Sequence, residues 1–269
     1  MKRSVLSLLL VAAMMSALAA CGYFGSPAIG TTTDNTPNAP ANTPADTQNN
    51  NSSDNSRNTA TPRALQTEAY EITYAKATTW VDILGTVWVQ GLVEVTNTGT
   101  EPLYLNPGAF DLEDSDGRLV KSVSLVSAFP DVIASGEKAY YYEETVLEID
   151  KAIDLVILPR VSVEKAKVDL IRFDITDLEL SDGSFGGGLT ARGRIENATD
   201  EKHDLIYVAV VLFDGSNTPI GLLFTIIMED LNPGDRIGFE MSEFSMLRDI
   251  SVNDVHSYIA YGYPLQWQF

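Results

Sequence analysis

"GLVEVTNTGTEPLYL" (Gly91–Leu105) and "GRIENATDEKHDLIYVAV" (Gly193–Val210) follow one plan. Each is a strand-like run ending in Asn-x-(Thr/Gly), then a polar turn, then a second strand-like run. Asn97 and Asn197 stand 100 residues apart. Two more landmarks recur in the same order. "FDLEDSDGRLV" (Phe110–Val120) and "LFDGSNTPIG" (Leu212–Gly221) each run from an aromatic-bearing strand into an Asp/Gly turn. "IASGEKAYYY" (Ile133–Tyr142) and "LNPGDRIGFE" (Leu231–Glu240) each open a strand with a Gly-acid turn. Three landmarks at a period near 100 mark a duplicated unit.

The region after Thr67 is rich in Val, Ile, Leu, Tyr and Phe, with turn residues every 8–12 positions. That spacing predicts short strands in a sandwich or barrel. In "GLTARGRIEN", Leu189, Ala191, Gly193 and Ile195 alternate with Thr190, Arg192, Arg194 and Glu196, which reads as one buried and one wet face. "PIGLLFTIIM" (Pro219–Met228) is apolar on both faces and predicts a strand that is central or covered on both sides. Asp-Gly at 116–117 and 214–215 suits tight hairpins, with glycine taking positive φ. The fold expected is all-β: two tandem sandwich domains, residues 67–165 and 166–269.

The order of these motifs resembles the small immunoglobulin-like modules of bacterial surface lipoproteins, especially the FxLYD type. Phe110, Leu112, Asp114 and Gly117 carry the resemblance in the first repeat. Val211-Leu212-Phe213-Asp214 carries it in the second, with Phe where the family has Tyr. It implies an immunoglobulin-like sandwich and brings no common activity or site residues with it.

The N-terminus carries a separate signal. Lys2 and Arg3 precede an apolar run, Val5–Met15, too short to span a bilayer and suited to a secretory leader, residues 1–20. Leu18-Ala19-Ala20-Cys21 resembles the lipobox of bacterial lipoproteins. That resemblance implies cleavage before Cys21 and lipidation of its thiol, with palmitate-type acyl chains. Each buried acyl CH₂ contributes about 0.8 kcal/mol, so two or three chains anchor firmly. Cys21 is the chain's sole cysteine. Residues 21–66 are mostly Thr, Asn, Pro, Ala, Ser and Asp, too poor in large apolar groups to offset ordering entropy, and read as a disordered tether.

Candidate chemistry is sparse. Asp111, Glu113, Asp114 and Asp116 crowd one predicted turn and offer hard oxygen ligands for Ca²⁺, without the spacing of an EF-hand loop. The competing reading is a solvated hairpin tip with Phe110 and Leu112 facing the core. His203 neighbours Asp204, but adjacent strand residues point to opposite faces. His256 reads as a partly packed strand residue. No Gly-x-Ser-x-Gly elbow occurs, and "GGG" at 186–188 has no following Lys or helix. Tyr140 and Tyr142 share a face opposite to Tyr141, and the run either covers a sheet edge or the seam between domains or contacts a ligand. Trp80, Trp88 and Trp267 carry the same two readings. The tail "YGYPLQWQF" reads as the last strand.

Residues 67–269 hold 34 acids against 14 bases, a surface that repels nucleic acid and anionic lipid. The expectation is a non-enzymatic, extracytoplasmic lipoprotein without cofactor, held by its lipid on the cell membrane or outer membrane. Its role would be binding, adaptor or structural, with an envelope protein as partner. The alternative is a wall-glycan or peptidoglycan binder.

Overall fold

The computed structural model describes residues 69–82, 84–183, 188–242 and 250–266. The apolar N-terminal run, Cys21, the Thr/Asn/Pro-rich stretch, Gly186, Gly187, Trp267 and Phe269 lie outside them. Among the described residues, regular structure is thirteen strands and one 3₁₀ turn at Val252–Asp254. The first set is β1 (Tyr70–Val81), β2 (Val87–Asn97), β3 (Leu103–Glu113), β4 (Leu119–Phe129), β5 (Val132–Ile133), β6 (Lys138–Leu147) and β7 (Val156–Lys165). The second is β8 (Asp174–Asp182), β9 (Leu189–Glu196), β10 (Ile206–Phe213), β11 (Pro219–Ile227), β12 (Arg236–Ser242) and β13 (Ser257–Pro264).

The fold is all-β and of sandwich type, with antiparallel pairing throughout the named strands. In the second set, β8-β9-β12 faces β11-β10-β13. In the first set, β1-β2-β6 and β4-β3-β7 occupy the same places. Two differences separate the two sets: β5, paired with β3, has no named counterpart, and β4 pairs with β3 over Leu119–Val126 and with β6 over Ser127–Phe129, so it belongs to both sheets. The crossing is made at a bulge, where Leu125 adopts φ 61° between the pairs Ala109–Ser124 and Gly108–Val126.

The two asparagines occupy equivalent sites. Both are fully buried. Asn97 Nδ2 donates to the carbonyls of Glu101 and Ile133, and its Oδ1 accepts from Gly99 N. Asn197 Nδ2 donates to Glu201 and Leu231, and its Oδ1 accepts from Thr199 N. Each side chain supplies the partners that a buried turn would otherwise lack.

Asp114 and Asp214 are likewise equivalent. Each Oδ1 accepts two backbone N–H groups, from Asp116 and Arg118 or from Ser216 and Thr218. The positive-φ position of the first turn is Gly117 (77°), as the Asp-Gly reading expects. In the second turn it is Asn217 (59°), three residues after Asp214, and not Gly215. Asn reaches the left-handed region because its short polar side chain compensates locally.

Three apolar clusters hold the fold. The first lies inside the first sandwich, around Val93, Leu105, Phe110, Val126 and Tyr141. The second lies inside the second sandwich, around Ile195, Val208, Val210, Leu212 and Leu223. The third joins them. Leu92, Phe129, Tyr140 and Tyr142 from the first pack on Ala209, Val211, Phe213, Leu222 and Tyr263 from the second. "PIGLLFTIIM" supplies an edge strand that is covered on both faces at Leu222 and Leu223 and exposed at Phe224, Ile226 and Met228, so the expectation of a central or doubly covered strand is corrected. Its apolar faces have separate causes: Leu223 enters the second core and Leu222 enters the seam.

Candidate functional site

The carboxylate cluster is taken apart by the fold. Phe110 and Leu112 are buried in the first core. Asp111 points away from it, paired with Arg160 at 3.1 Å and hydrogen-bonded to Ser122. Asp114 is committed to its own turn, and Asp116 lies 3.7 Å from Arg118 on an exposed rim. Among the described residues no three acid, histidine or cysteine side chains gather as a metal would require. The repeat explains the cluster. By the turn equivalence, Asp111 and Glu113 correspond to Val211 and Phe213. That face of the strand is wet in the first sandwich and docked in the second.

His203 sits in a bridge to Leu231, its ring edge-on to Phe173 at 5.2 Å and its Nε2 3.1 Å from Thr199 Oγ1. It is a packed turn residue. His256 is exposed and precedes β13, so the reading of it as a packed strand residue is corrected. The hydroxyl beside His203, that of Thr199, is committed to its own turn through Asn197 Oδ1 and the Glu201 carbonyl.

The tyrosine run lies where the alternation places it. Tyr141 enters the first core and donates to Asn106 O at 2.8 Å. Tyr140 and Tyr142 enter the seam, with Tyr140 edge-on to Phe213 at 6.1 Å. The opposite rim of the seam is polar. Glu94 is 5% exposed and meets Lys138 Nζ at 2.7 Å and Thr73 Oγ1 at 2.6 Å. Burial works to raise its pKa, but the hydrogen bonds from Lys138 and Thr73 outweigh this and hold it below the usual range. Arg172, in the connecting segment, donates to Val132 O at 2.6 Å and to Glu137. Beside it Asp131 is pushed up to about 6 by burial, against the pull of the Arg172 charge.

Glu143 shares a face with Tyr141, and burial pushes its pKa up to about 7, with the Glu144 carboxylate adding to the rise. The folded chain therefore holds this proton to a higher pH than the unfolded chain, which releases it near 4.5. The stabilisation is fully present below about 4.5 and is lost as pH rises through about 7. Glu143→Gln should therefore stabilise the protein by about 2 kcal/mol at about pH 8 and change little at about pH 4. Urea unfolding at both values checks this, and an equal effect at both would sink it.

Trp80 and Trp88 form a cross-strand pair on β1 and β2, stacked at 6.4 Å, with Trp88 Nε1 donating to Asp82 at 3.0 Å. A cavity of about 20 Å³ lies nearby at the seam, lined by Tyr74, Lys76, Thr78, Gln90, Leu92, Pro219 and Ile220. That is room for one water.

Sequence reasoning missed the residues that build the seam from the second sandwich, Ala209, Val211, Phe213 and Leu222. Their signal is present in "IYVAVVLF" (Ile206–Phe213), which buries apolar side chains on both faces. No family model matches the chain, and no curated protein matches it.

Proposed function

We propose that this chain is a lipid-anchored cell-envelope protein whose paired immunoglobulin-like sandwiches serve a non-catalytic binding or adaptor role. The anchor rests on Leu18-Ala19-Ala20-Cys21 directly after an apolar leader. The single observation that carries the adaptor role is the third apolar cluster, which makes one body of two sandwiches. A fused pair presents a fixed surface at low entropic cost on binding. The acidic balance of residues 67–269 favours a basic partner.

A second reading, wall-glycan binding, is favoured by the stacked Trp80–Trp88 pair, since aromatic faces stack on sugar rings. One experiment separates the two. The tagged protein is crosslinked in living cells beside a Cys21→Ala form and analysed by mass spectrometry. One dominant protein partner, lost with Cys21→Ala, supports the adaptor role. No partner, together with cosedimentation on purified wall that Trp88→Ala abolishes, overturns it in favour of glycan binding.

A further inference from the structure

A buried donor without a partner costs stability, so a chain that keeps one calls for a reason. Gln90 is such a residue. It is 2% exposed, and among the described residues its Nε2 has no hydrogen-bond partner. It lines the cavity at the margin of the seam. Thr78 and Lys76 from β1 form the wall beside it, and Pro219 and Ile220 from β11 form the wall across from it.

The strand register sets the tryptophan pair next to this recess. Trp80 pairs with Trp88 and Thr78 pairs with Gln90, so the indoles stand one row further along the same face of β1 and β2. Two residues along a strand cover about 7 Å. Both indoles are half-buried, and on β2 the seam cluster takes Leu92 but not Trp88. One face thus offers an aromatic surface and, beside it, a primary amide in a recess.

The charges nearby favour a neutral ligand. Lys76 is the only cation of the lining. It is answered by Asp214, whose carboxylate is held below the usual range by backbone hydrogen bonds from Thr218 and Ser216, with Lys76 adding to the pull. Glu144 stands opposite Gln90 on β6 and accepts from the Tyr142 hydroxyl at 2.6 Å. An anion beside Gln90 would meet two carboxylates against one ammonium.

We propose that this face is a subsite for an N-acetylated sugar, with the pyranose ring on the Trp80–Trp88 pair and the acetamido group on the Gln90 amide in the cavity. The apolar C–H face of a pyranose matches an indole face. An acetamido group presents a carbonyl and an N–H, so it can answer both polar atoms of a primary amide. Its carbonyl oxygen replaces the one water for which the cavity has room. The inference rests on the wall-glycan reading above and adds the sugar chemistry that the site selects.

The test is a fluorescence and calorimetric titration of the full chain carrying Cys21→Ser. The probes are the β-1,4-linked tetramers of N-acetylglucosamine and of glucose, which differ only at the acetamido position. The N-acetylated tetramer should bind about tenfold more tightly, the worth of one net hydrogen bond. Gln90→Leu should bring its affinity down to that of the glucose tetramer, leave glucose binding unchanged, and not lower the melting temperature, because the donor it removes is unpaired. Trp88→Ala should abolish binding of both. Equal affinity of the parent for the two sugars overturns the inference, and that comparison stands whether or not Gln90→Leu folds. So does a folded Gln90→Leu that keeps the preference. In both cases the glycan reading itself survives. Cosedimentation with purified wall but no binding of either tetramer has the same meaning. Failure to bind either tetramer or the wall overturns both.

Discussion

Asn197→Ala is expected to destabilise the second sandwich by about 3–4 kcal/mol. The side chain is fully buried, and its removal leaves the carbonyls of Glu201 and Leu231 without the Nδ2 donor. Thr199 loses the acceptor of both its N–H and its hydroxyl. A buried polar group left unpaired costs about 1–3 kcal/mol, and the loop can recover part of this by admitting water. Asn197→Asp should be at least as harmful, because it sets acceptor against acceptor at two carbonyls. Asn97→Ala should act alike in the first sandwich, and the two losses should add within about 0.5 kcal/mol, since the sites share no partner. Urea unfolding monitored by circular dichroism measures all three. A loss under about 1 kcal/mol for Asn197→Ala would mean that the turn holds itself without the side chain.

The second large effect concerns the seam. Val211 is fully buried there, while its counterpart Asp111 faces water. Val211→Asp places an unpaired carboxylate against Leu92, Tyr140 and Phe213, at a cost of at least about 4 kcal/mol if the seam stays closed. Opening the seam is the cheaper response, because the first and second cores lie wholly inside their own sandwiches. The variant should therefore keep its far-ultraviolet spectrum, gain radius of gyration in solution scattering, and become cleavable in the segment around Lys167–Arg172. The matched change Asp111→Val removes an exposed ion pair and should cost no more than about 1 kcal/mol. Unchanged scattering from Val211→Asp would show that the sandwiches are held together by something other than this cluster.

The repeat was legible because buried Asn97 and Asn197 impose a local sequence that both copies retain. The faces of β9 were legible from Ala191 on, since Leu189, Ala191 and Ile195 point inward at the strand period and Arg192 and Arg194 outward, but Thr190, expected on the wet face, is buried with its hydroxyl 3.3 Å from that of Ser242. The position of β11 was not. Apolar residues on both faces say nothing of whether the strand edge is paired, and here they do not even guarantee cover, since Phe224 and Ile226 are exposed. The crossing of β4 was also hidden, because the bulge uses a leucine in the left-handed region where a glycine would have signalled it. Asn217 hid the second turn in the same way, with Gly215 drawing the reading to the wrong residue. The carboxylates of "DLEDSDG" suggested a site because composition counts charges without their neighbours. Arg160, 49 residues from Asp111, pairs with its carboxylate, and only tertiary structure brings it there.

The strand shared between two sheets has a mechanical consequence. In the first sandwich, β4 is laced by backbone hydrogen bonds to β3 and to β6, so its sheets cannot slide past each other without breaking a ladder. In the second, no strand among the described residues belongs to both sheets, and side-chain packing resists sliding there. A pull applied at Ala69 would therefore meet the laced sandwich first.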